Sequence, residues 1–420
     1  MATENKTSTV IDINEATSLT PKLRFKEFER DWDFDKMRTI TSYVDYRGRA
    51  PEKSDNGIFL VTAKNIKKGY IDYDKSKEYV KEENYKTVMS KGLPKIGDVL
   101  FTTEAPLGNI AQVDKPNIAL AQRVIKLRGK EFIDNTYLLH YMLAPIYQKL
   151  INRKAIGTTV QGISGKELHQ TKVCYPKLPE QQKIATFLTA VDTKIQQLNS
   201  KKSALETFKK GAMQQLFSQK IRFKADDGSD FADWEEKTLN EVAKFRRGSF
   251  PQPYGLAKWY DKEGMPFVQV YDVGENMLLK QKTKQYISEA AQEKSVFVEK
   301  GTLVLTIQGS IGRIAKTQYN SYVDRTLLIF QSYRVNIDVD YFKYIVYLLF
   351  EIEKIKAPGG TIKTITKEKL SSFTVNIPPL KEQQKIANYL SAIDVKIESV
   401  QQQIKKTQAF KKGLLQQLFV

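Results

Sequence analysis

The stretch EQQKIATFLTAVDTKI at residues 180–195 returns almost unchanged as EQQKIANYLSAIDVKI at residues 382–397, which is 202 residues further along the chain. Extended without a gap to residues 180–217 and 382–419, the two copies are identical at 19 of 38 positions, and both end in FKKG and QQLF. A repeat of this kind fixes the architecture before any single motif does. The chain is therefore interpreted as two halves built on one plan.

Each copy carries an apolar stripe with alternating spacings of four and three residues, which is typical of a coiled-coil helix. The stripe comprises Ile184, Leu188, Val191, Ile195, Leu198 and Leu205 in the first copy, and Ile386, Leu390, Ile393, Ile397, Val400 and Ile404 in the second. Prolines precede both copies, in YPKLP and IPPL, and suit the first turn of a helix. Either each stripe packs on its own domain, or the two stripes pack on each other.

The near identity of the two stripes favours pairing, in the form of an antiparallel coiled coil. Such pairing would relate the halves by a pseudo-twofold axis and hold one domain at each end of a rod of about 57 Å, at about 1.5 Å per residue. Two readers on one side of a DNA duplex lie about one helical turn, or a multiple of it, apart. If each domain contacts one half of a DNA target, deleting one heptad from either helix should shift the gap between the two half-sites without changing their base sequences.

Upstream of the helices the halves match more weakly but in the same order. KLRFKEFERDW (22–32) corresponds to KIRFKADDGSDFADW (220–234), GDVLFTTEAPLGNIA (97–111) to GTLVLTIQGSIGRIA (301–315), and GTTVQGISGKEL (157–168) to GGTIKTITKEKL (359–370). Alternating or β-branched runs such as GIFLVTA and TLVLTI indicate strands, and helical patches at 135–153 and 339–356 follow them. The predicted fold class is α/β (α+β), with two similar strand-rich domains separated by two long helices.

A chain of 420 residues exceeds what a single hydrophobic core usually covers, which agrees with this division. The predicted segments are a flexible N-terminal tail at 1–17, a first domain at 18–178, a central helix at 179–219, a second domain at 220–377 and a C-terminal helix at 378–420.

The composition indicates a partner of opposite charge. The formal net charge is +19, and Lys and Arg gain affinity for phosphates by releasing counterions. Charge alone does not separate DNA from RNA or from a membrane surface. Cys174 is the single cysteine, which excludes disulfides within the chain and favours a reducing cytoplasm. The first residues lack the apolar core of a signal peptide, so we expect a cytoplasmic protein without a membrane partner.

No catalytic or metal constellation is evident. His140 and His169 are the only histidines, and neither has a second ligand at helical spacing. Cys174 has no neighbouring base or cation that would activate it. The segments NIPPL, GISGKE and EVAK depart from the methyltransferase, phosphate-loop and nuclease patterns that they faintly suggest. A catalytic role for this chain alone is disfavoured.

Taken together, the residues resemble the specificity subunit of a type I restriction-modification enzyme. The resemblance is carried by PKLRFKEFERDW near the start, by the openings LPEQQKIATFLTAVDTKI and PLKEQQKIANYLSAIDVKI, and by the FKKG and QQLF endings, and it runs from about residue 21 to 420. It implies two target-recognition domains, each reading one half of a split double-stranded DNA sequence. It also implies no cofactor on this chain. Two methyltransferase (modification) subunits would bring adenosylmethionine and methylate adenine, and restriction subunits would bring ATP and magnesium.

Two alternatives from other classes stay open at this point. A stand-alone DNA methyltransferase would bind adenosylmethionine as an isolated chain. An architectural coiled-coil protein without sequence preference would select no split motif from random DNA.

The aligned loops provide the DNA-binding candidates, because loop side chains read bases whereas Lys, Arg and hydroxyl groups hold phosphates. The base-reading candidates are Thr103, Glu104 and Asn109 in the first domain, and Gln308, Ser310 and Arg313 in the second. The phosphate candidates are Thr158, Thr159, Gln161, Thr361 and Lys363. Further basic candidates are Arg47, Arg49, Arg246 and Arg247, together with Arg123 and Arg325, which recur at the 202-residue spacing. Ordinary solvated turns are the competing interpretation of these loops.

Overall fold

A computed structural model describes residues 20–46, 50–356, 365 and 367–420 of the chain. The chain divides into two compact units. The first contains the described residues up to Asn199 together with Gln402–Val420, and the second contains Ser200–Gln401. The division runs through the middle of both long helices, so each unit holds one end of each helix.

The first strand-rich domain lies wholly in the first unit. Its strands are β1 (Asp33–Lys36), β2 (Thr41–Asp45), β3 (Ile58–Val61), β4 (Tyr79–Val80), β5 (Val99–Thr102), β6 (Ile110–Gln112), β7 (Ala119–Leu120), β8 (Val124–Gly129) and β9 (Lys172–Tyr175). Its helices are α1 (Met37–Ile40), α2 (Tyr85–Val88), α3 (Asn135–Leu143), α4 (Pro145–Lys154) and α5 (Gly165–His169), and α6 (Leu178–Phe217) follows them.

The second domain repeats this order in the second unit. Its strands are β10 (Glu235–Thr238), β11 (Ala243–Arg247), β12 (Tyr260–Val268), β13 (Gln285–Ile287), β14 (Val296–Val298), β15 (Leu303–Thr306), β16 (Ile314–Lys316), β17 (Ser321–Val323), β18 (Leu327–Tyr333) and β19 (Thr374–Ile377). Its helices are α7 (Leu239–Val242), α8 (Glu289–Gln292), α9 (Val339–Lys356) and α10 (Lys367–Ser371), followed by α11 (Leu380–Gln417).

The main sheets of the two domains have the same topology. The first domain orders its strands β2-β8-β5-β6, and the second orders them β11-β18-β15-β16, all antiparallel. A second sheet follows in each, β4-β3-β7 and β13-β12-β17-β14, with one parallel pair in each. The strands β5 and β15 are buried along their whole length, as the apolar runs in the sequence predict. The α/β (α+β) class with two strand-rich domains and two long helices is confirmed.

The helical patches of the two domains differ at one residue. The patch at 135–153 is split into α3 and α4, whereas α9 is continuous over Val339–Lys356. The break falls at Ala144, which has an extended backbone (φ −64°, ψ 144°) because it precedes Pro145.

A buried carboxylate fixes the start of each long helix. Glu180 accepts hydrogen bonds from Arg24 Nε and Nη2, both at 2.8 Å, and from Trp32 Nε1 at 3.3 Å. The repeat reproduces this arrangement in the second unit, where Glu382 accepts from Arg222 at 3.1 and 2.8 Å and from Trp234 Nε1 at 3.0 Å. The matched Arg and Trp segments therefore clamp each domain onto its helix.

The glutamine that follows each glutamate is also buried. Gln181 Oε1 accepts from the backbone N–H of Asp134 at 2.9 Å, and Gln383 Oε1 accepts from that of Asp338 at 2.8 Å. Both amide groups also donate to backbone carbonyls of the chain that precedes the helix. The EQ dipeptide is thus part of the domain core rather than of the exposed helix surface.

Each unit pairs the start of one helix with the end of the other. In the first unit, Leu23 N–H donates to the carbonyl of Gln417 at 3.0 Å, which brings the end of α11 to the segment that clamps the start of α6. Further along, Lys411 contacts Asp192 at 2.5 Å, so the helix ends run antiparallel. The second unit has the equivalent pair Lys209 and Asp394 at 2.6 Å.

The apolar stripe residues are all buried or half-buried. In the first unit, Ile184 and Leu188 belong to the same core cluster as domain residues such as Tyr137, as Leu414 of α11 and as Leu418, which directly follows α11. In the second unit the domain core includes the start of the α11 stripe together with residues from the end of α6. Both interpretations of the stripes therefore hold. Each stripe packs on its own domain and also against the other helix.

We expect Glu180→Gln and Glu382→Gln each to lower the free energy of unfolding by about 3 kcal/mol, because each removes the buried carboxylate that neutralises a largely buried guanidinium, which is 11% exposed in Arg24 and 23% exposed in Arg222. Urea unfolding followed by tryptophan fluorescence measures this, since an indole donates to each carboxylate. Glu206→Gln is the matched control on α6, where the carboxylate is half exposed and pairs with Lys202. A loss in the clamp variants no larger than in this control would contradict the role of the clamp.

Candidate nucleic-acid interface

Backbone hydrogen bonds gather the candidate loops of the first domain at one edge. Thr103 N–H donates to the carbonyl of Arg123 at 2.9 Å, and Ile163 N–H donates to the carbonyl of Thr103 at 3.0 Å. A bridge also joins Glu104 to Gly162. The loop after β5, the residue before β8 and the segment at 156–162 therefore form one surface.

The side chains at this surface fall into two groups. Glu104 and Arg123 form an exposed ion pair, and Thr158, Thr159 and Gln161 are exposed. Thr103 is buried and its hydroxyl donates to the carbonyl of Arg123 at 3.3 Å. Asn109 donates from Nδ2 to the carbonyl of Ile66 at 2.8 Å. Thr103 and Asn109 thus support the loops, and the others face solvent.

The second domain repeats part of this edge within its described residues. Ile307 N–H donates to the carbonyl of Thr326 at 3.0 Å, and Gly248 N–H donates to the carbonyl of Leu327 at 3.1 Å. These bonds bring the loop after β15, the residues before β18 and the end of β11 together. Gln308, Ser310, Arg246 and Arg247 are exposed there. Arg313 is paired with Glu275, with 2.7 Å between Nη2 and Oε1.

The strand register corrects one proposed equivalence. Thr102 of β5 faces Val124 of β8, and Thr306 of β15 faces Leu327 of β18. Arg123 therefore corresponds to Thr326, and Arg325 corresponds to Gln122. The 202-residue spacing of the two arginines is fortuitous, because the domains are offset by 204 residues at the β5 loop and by 203 at β8.

Arg325 lies within an aromatic and basic cluster that the sequence reasoning did not single out. Its guanidinium lies 5.1 Å from the ring centroid of Tyr254, whose hydroxyl donates to Asp324. Nearby, Lys258 and Lys294 lie 4.4 and 5.4 Å from the centroid of the Trp259 ring. The interleaved segment PYGLAKWYDK at 253–262 is the signal that could have located this cluster.

Four candidates lie outside the described residues. They are Arg47 and Arg49 in the first domain and Thr361 and Lys363 in the second.

The histidines and the cysteine occupy core positions. Burial lowers the pKa of His140 to about 3 and raises the pKa of the Cys174 thiol to about 11, so neither is a nucleophile or a base at neutral pH. His169 is buried with its ring against that of Tyr43. The described residues contain no group of three or more His, Cys, Asp or Glu side chains suited to a metal ion. None of the helices within them combines the length and apolar character needed to cross a membrane.

Each domain is followed by a long helix and has an edge formed by antiparallel strands, and the two edges combine similar backbone frames with different polar tips. The fold thus defines a class of protein with two related domains. The family model described as "Type I restriction modification DNA specificity domain" matches residues 39–207 and 232–408. The chain belongs to this family and is a specificity subunit of the type I restriction-modification kind.

Individual relatives agree over nearly the whole chain. A protein of Methanocaldococcus jannaschii that carries the name MjaX specificity subunit of a type I restriction enzyme is 26% identical, with 94% of each chain covered. The EcoBI specificity subunit of Escherichia coli is 24% identical over 71% of this chain and 67% of its own. The crystal structure of the type I system S subunit from M. genitalium has a similar fold, with a TM-score of 0.62 at 16% identity, covering 96% of this chain and 99% of that one.

Proposed function

We propose that this chain reads a bipartite double-stranded DNA target, with each recognition domain contacting one half-site and a non-specific gap between them. The observation that carries the proposal is the pair of equivalent edges, in which the backbone frame is repeated and the exposed side chains differ. A repeated frame suits the same kind of ligand at both edges. Different donors and acceptors at the tips suit two different base sequences.

The distribution of positive charge supports DNA as the ligand. Arg246 and Arg247 are exposed at the end of β11, and one strand, β18, separates β11 from β15, which the Gln308 loop follows. Guanidinium groups beside a polar tip are suited to hold phosphates while the tip meets base edges. Arg325, held over the ring of Tyr254, adds a third cation at this edge.

The chain in this proposal is not an enzyme, and its reactions are performed by partners. Methyltransferase subunits bring adenosylmethionine and methylate adenine, and restriction subunits bring ATP and magnesium. The core positions of His140 and Cys174 support this division, because a buried neutral imidazole and a buried thiol with a raised pKa offer no reactive group to DNA.

The long helices carry the surface that we assign to the modification subunits. Many positions that are identical between the two helices are explained by the fold, since they are buried or form the clamp. Phe208 and Phe410 are different, because they occupy equivalent positions and are 55% and 54% exposed. Lys210 and Lys412 beside them are also exposed and identical. Two equal apolar and basic surfaces, one in each unit, suit two copies of one partner with an acidic rim.

The target can be determined directly. Sequencing methylated DNA from cells that express the chain with its modification subunit should yield one split motif. Replacing residues 22–178 by the first domain of another specificity subunit should change one half of that motif and leave the other half as it was. A motif without a gap, or a change in both halves, would contradict the proposal.

The assignment of catalysis to partners has a separate test. Calorimetry with the isolated chain and adenosylmethionine should show no binding. A measurable heat of binding with one site per chain would favour a stand-alone methyltransferase instead.

We expect Phe208→Ala and Phe410→Ala each to weaken one of two binding events with the modification subunit by tenfold or more, because a central aromatic anchor usually dominates such interfaces. Titration of the purified subunit should give two equivalent sites for the parent chain and one for each variant. Tyr70→Ala is the control, since Tyr70 is 59% exposed but lies outside both helices. Two unchanged sites in both phenylalanine variants would rule out this surface.

A further inference from the structure

The corrected register identifies two positions at which the recognition edges differ in chemistry. In the first domain these positions hold Glu104 and Arg123, and in the second they hold Gln308 and Thr326. The backbone bond from residue 103 to the carbonyl of 123 has its counterpart in the bond from 307 to 326, so the positions correspond in space within each domain. If the two domains prefer different DNA sequences, we expect the cause to lie at matched positions of the repeated frame that hold different side chains.

The two charged side chains of the first domain form a pair at the tip of the edge. Arg123 Nε lies 2.7 Å from Glu104 Oε1, and the side chains are 54% and 41% exposed. An exposed pair of this kind contributes little to stability, about 0–1 kcal/mol. Arg123 also has a left-handed backbone (φ 69°), which is uncommon for a residue other than glycine. Stability therefore does not explain why the pair is placed here.

The pair presents an acceptor directly beside a set of donors. In the major groove, a G·C base pair presents the N4 amino group of cytosine beside the O6 and N7 acceptors of guanine. A carboxylate accepts from cytosine N4, and a guanidinium donates to guanine O6 and N7. The pair as a whole carries no net charge, so the phosphates repel it less than they would a lone carboxylate. The arrangement of donors and acceptors on the protein is complementary to that on the base pair.

We propose that Glu104 and Arg123 together read one G·C base pair in the half-site of the first domain. The inference rests on the proposed DNA-reading function and adds the identity of one base pair to it.

The second domain differs at this point. Thr326 donates its hydroxyl to Asp324 Oδ1 at 2.5 Å, which occupies that proton, while the amide of Gln308 is exposed. A lone glutamine amide is suited to the N6 and N7 groups of adenine. On the same proposal, we expect an A·T pair at the matched position in the second half-site.

The test is selection from a randomised double-stranded DNA library by the full chain, assembled with its modification subunits, and by three variants. Glu104→Gln keeps the size of the side chain and removes the charge. Gln308→Glu makes the reverse change in the second domain. Glu131→Gln is the matched control, because Glu131 is exposed in the first domain and lies beyond the opposite end of β8, at a distance of about 20 Å along the strand.

We expect Glu104→Gln to reduce the preference for G·C at one position of one half-site by about tenfold, without changing the other half-site. Gln308→Glu should alter one position of the other half-site, and Glu131→Gln should leave both half-sites as in the parent. A parent chain that selects a split motif, together with a Glu104→Gln variant that selects the same letters, would overturn the assignment while the proposed function stands. A parent chain that selects no motif would remove both.

Discussion

The structure depends on an exchange of helix ends. The start of α6 lies with the end of α11 in the first unit, and the start of α11 lies with the end of α6 in the second. One ion pair joins the two helices in each unit, Asp192 with Lys411 in the first and Asp394 with Lys209 in the second. The 202-residue repeat relates the two aspartates to each other, and likewise the two lysines. Each recognition domain consequently completes its core with residues from both helices. Neither helix has an apolar stripe that one domain alone would cover.

This arrangement explains which residues the two halves share. Two kinds of contact occur once in each unit. One is the clamp of Glu180 or Glu382 with its arginine and tryptophan partners, and the other is the ion pair between an aspartate and a lysine of the two helices. The tips of the two edges are under no such mutual constraint, because the contacts of their side chains lie within their own domain, as in the pairs Glu104–Arg123 and Arg313–Glu275. The frame is therefore repeated, whereas the tips differ, with Glu104 in one domain and Gln308 in the other.

Much of the fold could be predicted from the sequence, because its signals are local and repeated. The apolar stripes, the buried strands and the division into two domains follow from periodicity and self-alignment. The stripe did not reveal what covers it. Periodicity indicates that one face of a helix is buried, but it does not indicate which element buries that face. The clamp between Arg24 and Glu180 joins residues 156 positions apart, and no spacing rule connects them.

The candidate site was predicted less completely. The loops at Glu104 and Gln308 are turns between strands, as the sequence predicts, but whether they read DNA stays a prediction, and the roles of their neighbours depend on contacts. Thr103 and Asn109 are polar loop residues in the sequence, yet they bond the backbone of their own domain. The domains differ by one residue in the spacing between these strands, so the counterpart of Arg123 is Thr326 and not Arg325. Only the strand register reveals this correspondence.

The most direct test of the exchange is a charge-reversal cycle measured as free energies of unfolding in urea. Asp192→Lys should destabilise the chain, and adding Lys411→Asp should restore about 1 kcal/mol as a coupling energy, since these side chains are partly exposed. Adding Lys209→Asp instead should restore nothing, because Lys209 pairs with Asp394. Rescue by Lys209→Asp, or no coupling between positions 192 and 411, would contradict the exchange of helix ends.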